Sequence, residues 1–511
     1  MVDAVEIELF KNRFTSIAEE MGEVLTRTAF SPNIRERRDH SCAMFDVHGE
    51  MFAQAAHIPV HLGAAPLCVK AVIAAMQLRP GQTAVVNDPY TGGTHLPDIT
   101  LVQGVWVDGH AEPVGWVAIR AHHADVGGIA PGSLPPSRHI DDEGWRVAPC
   151  LLTPDVVGSL CAASRTPDER RADLAAQQAA LALGERRLVE LCGRWGRARV
   201  AEMMEAVQAY TCRWMRAALA SFPVRRAEAW DSLDNAFEGG PPVPLYGVVD
   251  WDGARLLVDL TGCPDQVDGP MNAPRAIAES AVFYVLMCLL PEGTPANSGV
   301  MRDVEVRTRR GSVVDPVYPA PVAAGNVETS QRLVDLLFQA FGHFRPMPAC
   351  GQGTMNNVLL GSVPGAARSW VMYETIGGGY GAGPESSGAS CVQVHMTNTL
   401  NTPIEALELA FPVRVACYER RDGSGGRGEH SGGDGLARAF EALEPMVATV
   451  IMERRTAGPP GAAGGAAGEP GAQWIDGRRG RRPLESKSTV ELAAGDVLWV
   501  LTPGGGGWGH S

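Results

Sequence analysis

The sequence predicts a large mixed α+β fold that combines β-hairpins, a long helical segment and a C-terminal β region. Three observations support this class: helical apolar spacing near the start, alternating hairpin patterns, and a middle stretch with almost no proline or glycine. At roughly 100 to 200 residues per domain, 511 residues allow three or four domains or one elaborated fold. We expect four regions: an N-terminal α+β region at 1–165, a helical segment at 166–222, a central α+β region at 223–420 and a mainly β region at 421–511.

The N-terminal region is predicted to contain a helix and a hairpin. The segment EIELFKNRFTSIAEEMGEVLTRTAFS has apolar residues at helical spacing and precedes Pro32, which cannot continue a helix. Further on, ITLVQGVWV and VGWVAIRAHH flank a turn that contains Asp108 and Gly109. A hairpin of these two runs would bring the residues after Ile119 back beside the residues before Ile99.

The helical segment begins in TPDERRADLAAQQAALALGERRLVEL. Thr166 has the N-cap position, Pro167 the first helical position, and Glu169 is placed to complete a capping box. The chain that follows predicts one or two long helices. In the central region, LYGVVDWDGARLLVDLTG has Asp252 and Gly253 at its turn and predicts a second hairpin.

Two segments of the C-terminal region are unusually rich in glycine. They are RDGSGGRGEHSGGDG, which starts at Arg421, and AGPPGAAGGAAGEPGA, which starts at Ala457. Such composition predicts mobile loops or linkers. Because the flanking segments recover an apolar pattern, we expect them to connect strands of a β region.

Composition excludes several classes of protein. The net charge is −14, and only three of the 44 basic residues are lysines, which argues against nucleic-acid or anionic-membrane binding. No apolar run is long enough for a membrane helix, and the acidic start does not resemble a secretory signal. Eleven scattered cysteines without a CxxC pair are typical of reduced thiols. We therefore expect a cytoplasmic location.

The predicted first hairpin gathers residues that could bind a metal. His95 and Asp98 lie near the start of one strand, and His122, His123 and Asp125 lie at the end of the other. Imidazole nitrogens and carboxylate oxygens on adjacent strand ends suit Zn²⁺, Mn²⁺ or Fe²⁺, and such a mixed set can leave a position open for water. A hydrogen-bonded turn is the alternative interpretation of the His-x-x-Asp spacing.

Other polar residues are weaker candidates. Asp39, in RERRDHSCAMFD, could add a further metal ligand. His57 and His61 have the spacing of a helical metal pair, but Pro59 between them favours a loop, so substrate contact or a structural role is the better interpretation. The chain has no Gly-x-x-x-x-Gly-Lys motif for ATP.

Two polar motifs in otherwise apolar segments could bind a small amide or carbonyl compound. One is GQGTMNN, with Asn356 and Asn357, and the other is GNVETSQR, with Asn326, Glu328 and Gln331. The alternative is that these groups cap helices and satisfy loop backbone.

Eight motifs in order along the chain carry a family resemblance: NDPYTGGTHLPDITLV, AHHADVGG with PGSLP, GPMNAP, GNVETSQR, GQGTMNN, YETIGGGYGAGP, VHMTNTLNTPIE and TPGGGGWG. Together they resemble the B subunit of the hydantoinase and oxoprolinase family. That family also includes a subunit of acetone and acetophenone carboxylases and of ATP-dependent lactamases.

The resemblance implies a division of labour. A hydantoinase A-type ATPase partner would bind ATP and Mg²⁺ and phosphorylate the substrate oxygen, and this chain would complete the reaction as its B subunit. It further implies that His95, Asp98 and His122 hold a divalent metal (Zn, Mn or Fe), with Asp39 as a fourth ligand. His123 and Asp125 would then transfer protons or orient the ligands. The residues themselves, and not the resemblance, make His57, His61, Asn356 and Asn357 the candidates for substrate contact.

The function expected from the resemblance is ATP-dependent hydrolysis of a small cyclic amide such as a hydantoin, oxoproline or lactam, by a hetero-oligomer of two A and two B subunits. One alternative is a subunit of an ATP-dependent ketone carboxylase, which would consume bicarbonate. Another is a scaffold subunit with a structural metal.

Overall fold

The structure is a computed structural model, which describes residues 3–55 and 58–510. His57 lies outside the described residues. None of the described helices is long and apolar enough to cross a membrane. The helices of this part of the chain are α1 (Ala4–Thr28), α2 (Pro32–Arg35), α3 (His61–Ala75), α4 (Pro154–Ala163), α5 (Pro167–Trp195), α6 (Arg197–Ala220), α7 (Arg275–Met287), α8 (Ser330–Phe341) and α9 (Ile404–Ala410).

The strands of the described residues form four sheets. The first sheet contains, in chain order, β1 (His40–Phe45), β2 (Met51–Gln54), β3 (Thr83–Val86), β4 (Asp98–Val105), β5 (Gly115–His122) and β6 (Cys150–Leu151). The second contains β7 (Arg225–Leu233), β8 (Val243–Trp251), β9 (Leu256–Asp259) and β10 (Val304–Arg307). The other strands are β11 (Asn357–Ser362), β12 (Val371–Glu374), β13 (Val413–Arg421), β14 (Gly435–Ala442), β15 (Met446–Ile451), β16 (Ala472–Gly477), β17 (Gly480–Pro483), β18 (Lys487–Leu492) and β19 (Val497–Leu501).

The first sheet is antiparallel and has the spatial order β2-β1-β5-β4-β3-β6. Successive side chains of a strand point to opposite faces, and both faces of this sheet are covered. On β5, Val117 and Ile119 join the apolar core shared with α1 and α5, whereas Trp116 and Ala118 join the core shared with α3 and α7. Neighbouring residues of β5 therefore lie in different cores.

The predicted first hairpin is confirmed. Strands β4 and β5 pair antiparallel in a register that sets Asp98 opposite His122 and Thr100 opposite Arg120. The opening helix is confirmed as α1. The second hairpin is confirmed as β8 and β9, joined through Asp252 and Gly253.

The two long helices predicted after Thr166 are α5 and α6, which meet at Gly196. The predicted capping box is wrong, because the Thr166 side chain makes no N-cap hydrogen bond. Instead, its hydroxyl oxygen accepts a hydrogen bond from Nη1 of Arg170 at 3.2 Å. The Thr166 oxygen thus accepts from the buried Arg170 guanidinium, where an N-cap would accept from a backbone N–H of the first turn.

The C-terminal region is mainly β, as predicted, with β12-β11-β15-β18 in one sheet and β13-β14-β19-β16-β17 in another. The glycine-rich segments connect strands, as predicted, β13 to β14 and β15 to β16, but they are not open linkers. These segments stack against one another through backbone hydrogen bonds, among them Gly426 N to the oxygen of Gly505 and Ala466 N to the oxygen of Arg427. A Cβ on Gly432 would lie 2.0 Å from the oxygen of Gly505, so no side chain fits at this position.

The largest apolar core extends across the chain. It includes residues from each of the four expected regions, for example Val69, Met215, Phe283 and Ile451. Two further cores lie beside it, one between the first sheet and the long helices and one between the two C-terminal sheets.

One irregular element positions the candidate site. Residues Gly325–Thr329 form a π-helical turn directly before α8, a rare conformation that is often found at functional sites. Gly325 allows this turn to touch the neighbouring loop, because a Cβ there would lie 1.9 Å from the backbone oxygen of Asn272. The hydroxyl of Thr329 donates to the oxygen of Met271 at 2.6 Å and fastens the other end of the turn.

We predict that Gly325→Ala destabilises the protein, since the methyl group collides with backbone that cannot move aside. Overpacking of this kind typically lowers the free energy of unfolding by about 1 to 3 kcal/mol. Gly158→Ala is the matched control, because nothing lies within 4 Å of a Cβ at this exposed position of α4. Denaturant unfolding followed by circular dichroism should show a loss only for Gly325→Ala, and equal stability of the two variants would contradict the close contact.

Candidate metal centre

Three side chains converge at the end of the first hairpin. One potential ligand atom from each of His95, Asp98 and His122 lies within 4.8 Å of the others. Nε2 of His95 is 3.2 Å from Oδ1 of Asp98, and Nδ1 of His122 is 3.4 Å from the same oxygen. The two imidazole nitrogens are 3.2 Å apart. The hairpin therefore brings together the three principal ligands expected from the sequence, all of them buried.

The two oxygens of Asp98 have different surroundings. Oδ2 accepts a hydrogen bond from the Thr94 hydroxyl at 2.6 Å and lies 3.5 Å from Nε2 of His61. Oδ1 faces the two ligand imidazoles and has no hydrogen-bond partner of good geometry in the described part of the chain. A buried anionic oxygen is costly to leave unpaired. One carboxylate oxygen and two imidazole nitrogens turned toward one another fit a divalent cation.

Hydrogen bonds orient the imidazoles. Nδ1 of His95 donates to the oxygen of Ala323 at 3.3 Å, which leaves the lone pair of Nε2 directed at the cluster. Nδ1 of His61 pairs with the Ser41 hydroxyl at 2.9 Å. The Asn33 amide donates to the backbone oxygen of His122 at 2.6 Å and fixes the end of the strand.

In the cluster, burial and the neighbouring charges shift the pKa values of the side chains in opposite directions. Burial raises the pKa of Asp98, but the charges of His95 and His61 outweigh it, so this pKa is well below the usual range. Burial lowers the pKa of His95, yet Asp98 raises it to a net value above normal. For His61 and His122, burial dominates and the pKa falls despite Asp98. The site thus holds an ionised carboxylate among imidazoles of unequal basicity.

A small cavity of about 20 Å³, room for one water-sized group, adjoins the cluster. Asp39 lies on its wall, and burial raises the pKa of this carboxyl group. Asp39 is not among the three residues whose ligand atoms lie within 4.8 Å of one another. The structure thus places the expected fourth ligand at the cavity, outside the cluster of three.

An aromatic ring closes one side of the cavity. Tyr373 stacks on His122 with ring centroids 4.9 Å apart, and the Arg37 guanidinium lies 4.4 Å from the centre of the tyrosine ring. The Tyr373 hydroxyl donates to Oδ1 of Asn357 at 2.8 Å. Tyr373 therefore links the C-terminal half of the chain to His122, a candidate ligand, through a contact that local sequence pattern does not reveal.

Asn326 is a further site residue. Its Nδ2 lies 3.0 Å from Nε2 of His95 and 3.5 Å from Oδ2 of Asp98. The motif GNVETSQR marks this amide as a candidate for substrate contact, and the fold brings it into the cluster from a distant part of the sequence. The π-helical turn presents the side chain to the cavity.

His123 and Asp125 are not in the cavity. Because neighbouring strand residues point to opposite faces, His123 faces α5, where its Nε2 pairs with Oε1 of Gln177 at 2.9 Å. Asp125 accepts hydrogen bonds from Gly127 N, Gly132 N and Arg165, which holds the following loop. The expected proton-transfer role of both residues stays a prediction.

The expected substrate-binding residues are at different distances from the cluster. His61 lies on the cavity wall. Asn357 lies behind Tyr373 and also donates to Glu328 at 2.6 Å. Asn356 is further back, where its side chain contacts Gln352 and the backbone oxygen of Ile376.

Solved structures of other proteins share this fold. A crystal structure of an ATP-dependent caprolactamase from Pseudomonas jessenii superposes with a TM-score of 0.91 at 26% identity, covering 100% of this chain and 92% of that chain. A nucleotide-free structure of acetone carboxylase gives a TM-score of 0.89 at 16% identity, covering 99% of this chain and 76% of that chain. The second likeness shows the fold alone. Together they confirm the predicted mixed α+β class.

Sequence comparison identifies the family. The model of the Hydantoinase B/oxoprolinase family matches residues 3–511, and the chain therefore belongs to that family. A relative, 5-oxoprolinase 1 of Arabidopsis thaliana, is 38% identical over 543 residues, which cover 100% of this chain. The chain spans only 42% of the length of that plant protein.

We predict that His123 makes the fold acid-sensitive. Burial, followed by the Arg170 charge, lowers the pKa of His123 from 6.5 to about 4. Neutral His123 thus contributes stability that is complete above pH 6.5 and is lost as the pH falls toward 4, on the order of 3 kcal/mol. His123→Gln should flatten this loss in urea unfolding measured from pH 7 to 4. His48→Gln, at an exposed turn, should keep the wild-type profile, and equal profiles for all three proteins would refute the assignment.

Proposed function

We propose that this chain is the metal-bearing component of an ATP-dependent enzyme that hydrolyses a small cyclic amide. The convergence of His95, Asp98 and His122 on one point carries the proposal. Family membership supports it, because 5-oxoprolinase 1 and the ATP-dependent caprolactamase are both named for the hydrolysis of ring amides.

The side chains suit metal binding in a defined manner. His95 would bind through Nε2, His122 through Nδ1 and Asp98 through Oδ1, while Thr94 and His61 hold the other carboxylate oxygen. A divalent ion held there polarises a carbonyl oxygen or makes a water molecule more acidic, which is the chemistry that amide hydrolysis requires. Zn²⁺, Mn²⁺ and Fe²⁺ all accept two imidazoles and a carboxylate.

The residues around the cluster would control the substrate. Tyr373 fixes the plane of His122 and gives the ring of the substrate an apolar wall. Asp39 lines the same cavity, outside the cluster of three, and would accept a proton there or join the ligand set if its carboxylate moves closer. His123 and Asp125 would act indirectly, by holding the end of β5 and the loop after it.

The ATP-dependent step is assigned to a partner. No Gly-x-x-x-x-Gly-Lys motif occurs in the sequence, yet the caprolactamase that shares this fold is ATP-dependent. In addition, more than half of the plant 5-oxoprolinase has no counterpart in this chain. We therefore propose that a hydantoinase A-type ATPase subunit binds ATP and Mg²⁺, in an assembly of two A and two B subunits.

We predict that the purified chain contains about one equivalent of divalent metal, which His95→Ala with Asp98→Ala removes, because two of three ligands are then lost. Elemental analysis measures the metal, and circular dichroism verifies folding. His48→Ala with Asp108→Ala, at exposed turns, is the control and should retain the metal. Absence of metal from the wild-type chain would overturn the proposal.

Activity separates the remaining alternatives. The His95→Ala chain, assembled with the ATPase partner, should lose amide hydrolysis while the complex stays intact on size-exclusion chromatography. If the complex dissociates instead, the chain is a scaffold with a structural metal. If turnover with a ketone requires bicarbonate, the chain belongs to a carboxylase.

A further inference from the structure

The Asn326 amide has an unusual hydrogen-bonding position. Its Nδ2 lies 3.0 Å from Nε2 of His95 and 3.5 Å from Oδ2 of Asp98. Its Oδ1 is buried and has no hydrogen-bond partner within 3–55 and 58–510. The side chain is only 4% exposed, so an unsatisfied amide oxygen is not compensated by bulk solvent.

The His95 contact uses the lone pair that the proposed function assigns to a metal. An imidazole nitrogen has one lone pair in the plane of its ring, and a cation and an amide N–H cannot share it. When the nitrogen binds a cation, the N–H that it accepted must find another acceptor. The amide has two N–H groups: one is directed at Oδ2 of Asp98, 3.5 Å away. The other, which met His95, then has no acceptor in the described part of the chain, since Oδ1 of Asp98 faces the cluster.

Rotating the amide would not solve the problem. A flip would direct Oδ1 of Asn326 at Oδ2 of Asp98, and two acceptors at that distance repel each other. The backbone cannot withdraw the side chain either. Ser330 donates to the backbone oxygen of Asn326 at 2.6 Å, and Gly325 fits against Asn272 without room for movement.

We propose that Asn326 binds the substrate: its Nδ2 donates a hydrogen bond to a carbonyl or carboxylate oxygen that enters the cavity beside the three metal ligands. This inference rests on the proposed function and assigns a role that the three metal ligands do not fill. The Thr397 hydroxyl, on the wall of the same cavity, offers a second donor to such an oxygen. The ligand class is therefore an oxygen acceptor with neutral or negative charge.

Two other roles make different predictions for Asn326. If Oδ1 were a ligand of the cation, removing the amide would weaken metal binding. If the amide only held His95 in place, substitution would alter metal binding and leave acceptor binding to the loaded site unchanged. The experiment must therefore measure both affinities.

We predict that Asn326→Ala weakens acetate binding to the Co²⁺-loaded full-length chain about tenfold or more, as expected for loss of a hydrogen bond to a charged group. Its Co²⁺ affinity should stay within about threefold of wild type, since the three ligands remain. Asn326→Asp should lose acetate binding more completely, because a carboxylate repels the anion, while keeping or strengthening Co²⁺ binding. The visible absorption of Co²⁺ reports acetate binding, and competition with a chelator reports metal affinity.

Asn12→Ala, on the exposed face of α1, is the control and should match wild type in both titrations. Thermal unfolding verifies that each variant is folded. A tenfold loss of Co²⁺ affinity in Asn326→Ala, unchanged acetate affinity, or a wild-type chain that takes up Co²⁺ but no acetate would each overturn this inference alone. A wild-type chain that takes up no Co²⁺ would overturn the proposed function as well.

Discussion

The pairing of Asp98 with His122 across the first hairpin is the constraint on which the site depends. It is one rung of an antiparallel ladder, and the ladder continues through eight paired positions of β4 and β5. Shifting the register by one residue would turn His122 toward α5 and His123 toward the cavity. The two apolar cores on either side of this sheet hold the register, so packing far from the site determines which histidine faces Asp98.

Burial of the charged groups at the site lowers the stability of the fold. A carboxylate without solvent is unstable unless paired, and Asp98 is surrounded by imidazoles whose basicity burial and charge alter in opposite directions. Such a cluster gains stability from a cation that all three ligands can share. If the proposed metal binds there, its binding would be coupled to the folding of this region.

Local sequence pattern predicts those features of the structure that short segments of the chain determine by themselves. The hairpin and the long helices follow from alternation and spacing. Spacing alone left five candidate residues at the end of the hairpin, and the family resemblance selected His95, Asp98 and His122, which the structure brings together. The positions of His123 and Tyr373 do not, because the first requires the strand face and the second requires packing between distant segments. Asn326 is visible in the sequence only as a polar residue in an apolar motif. Its proximity to His95 is created by the π-helical turn, whose conformation no periodicity predicts. The composition of the glycine-rich segments indicates flexibility, yet their glycines let backbones touch.

The glycine-rich layer limits which substitutions the C-terminal region can accept. Backbone hydrogen bonds hold this layer together. The fit therefore depends on the volume and backbone conformation of each residue, and only weakly on the chemistry of its side chain. We therefore expect substitutions of its closely packed glycines, such as Gly432 and Gly504, to be tolerated poorly, whereas exposed charges on the nearby strands can change freely. A recombinant affinity tag is accordingly better placed at an exposed turn such as Arg478 and Arg479 than within residues 457–472.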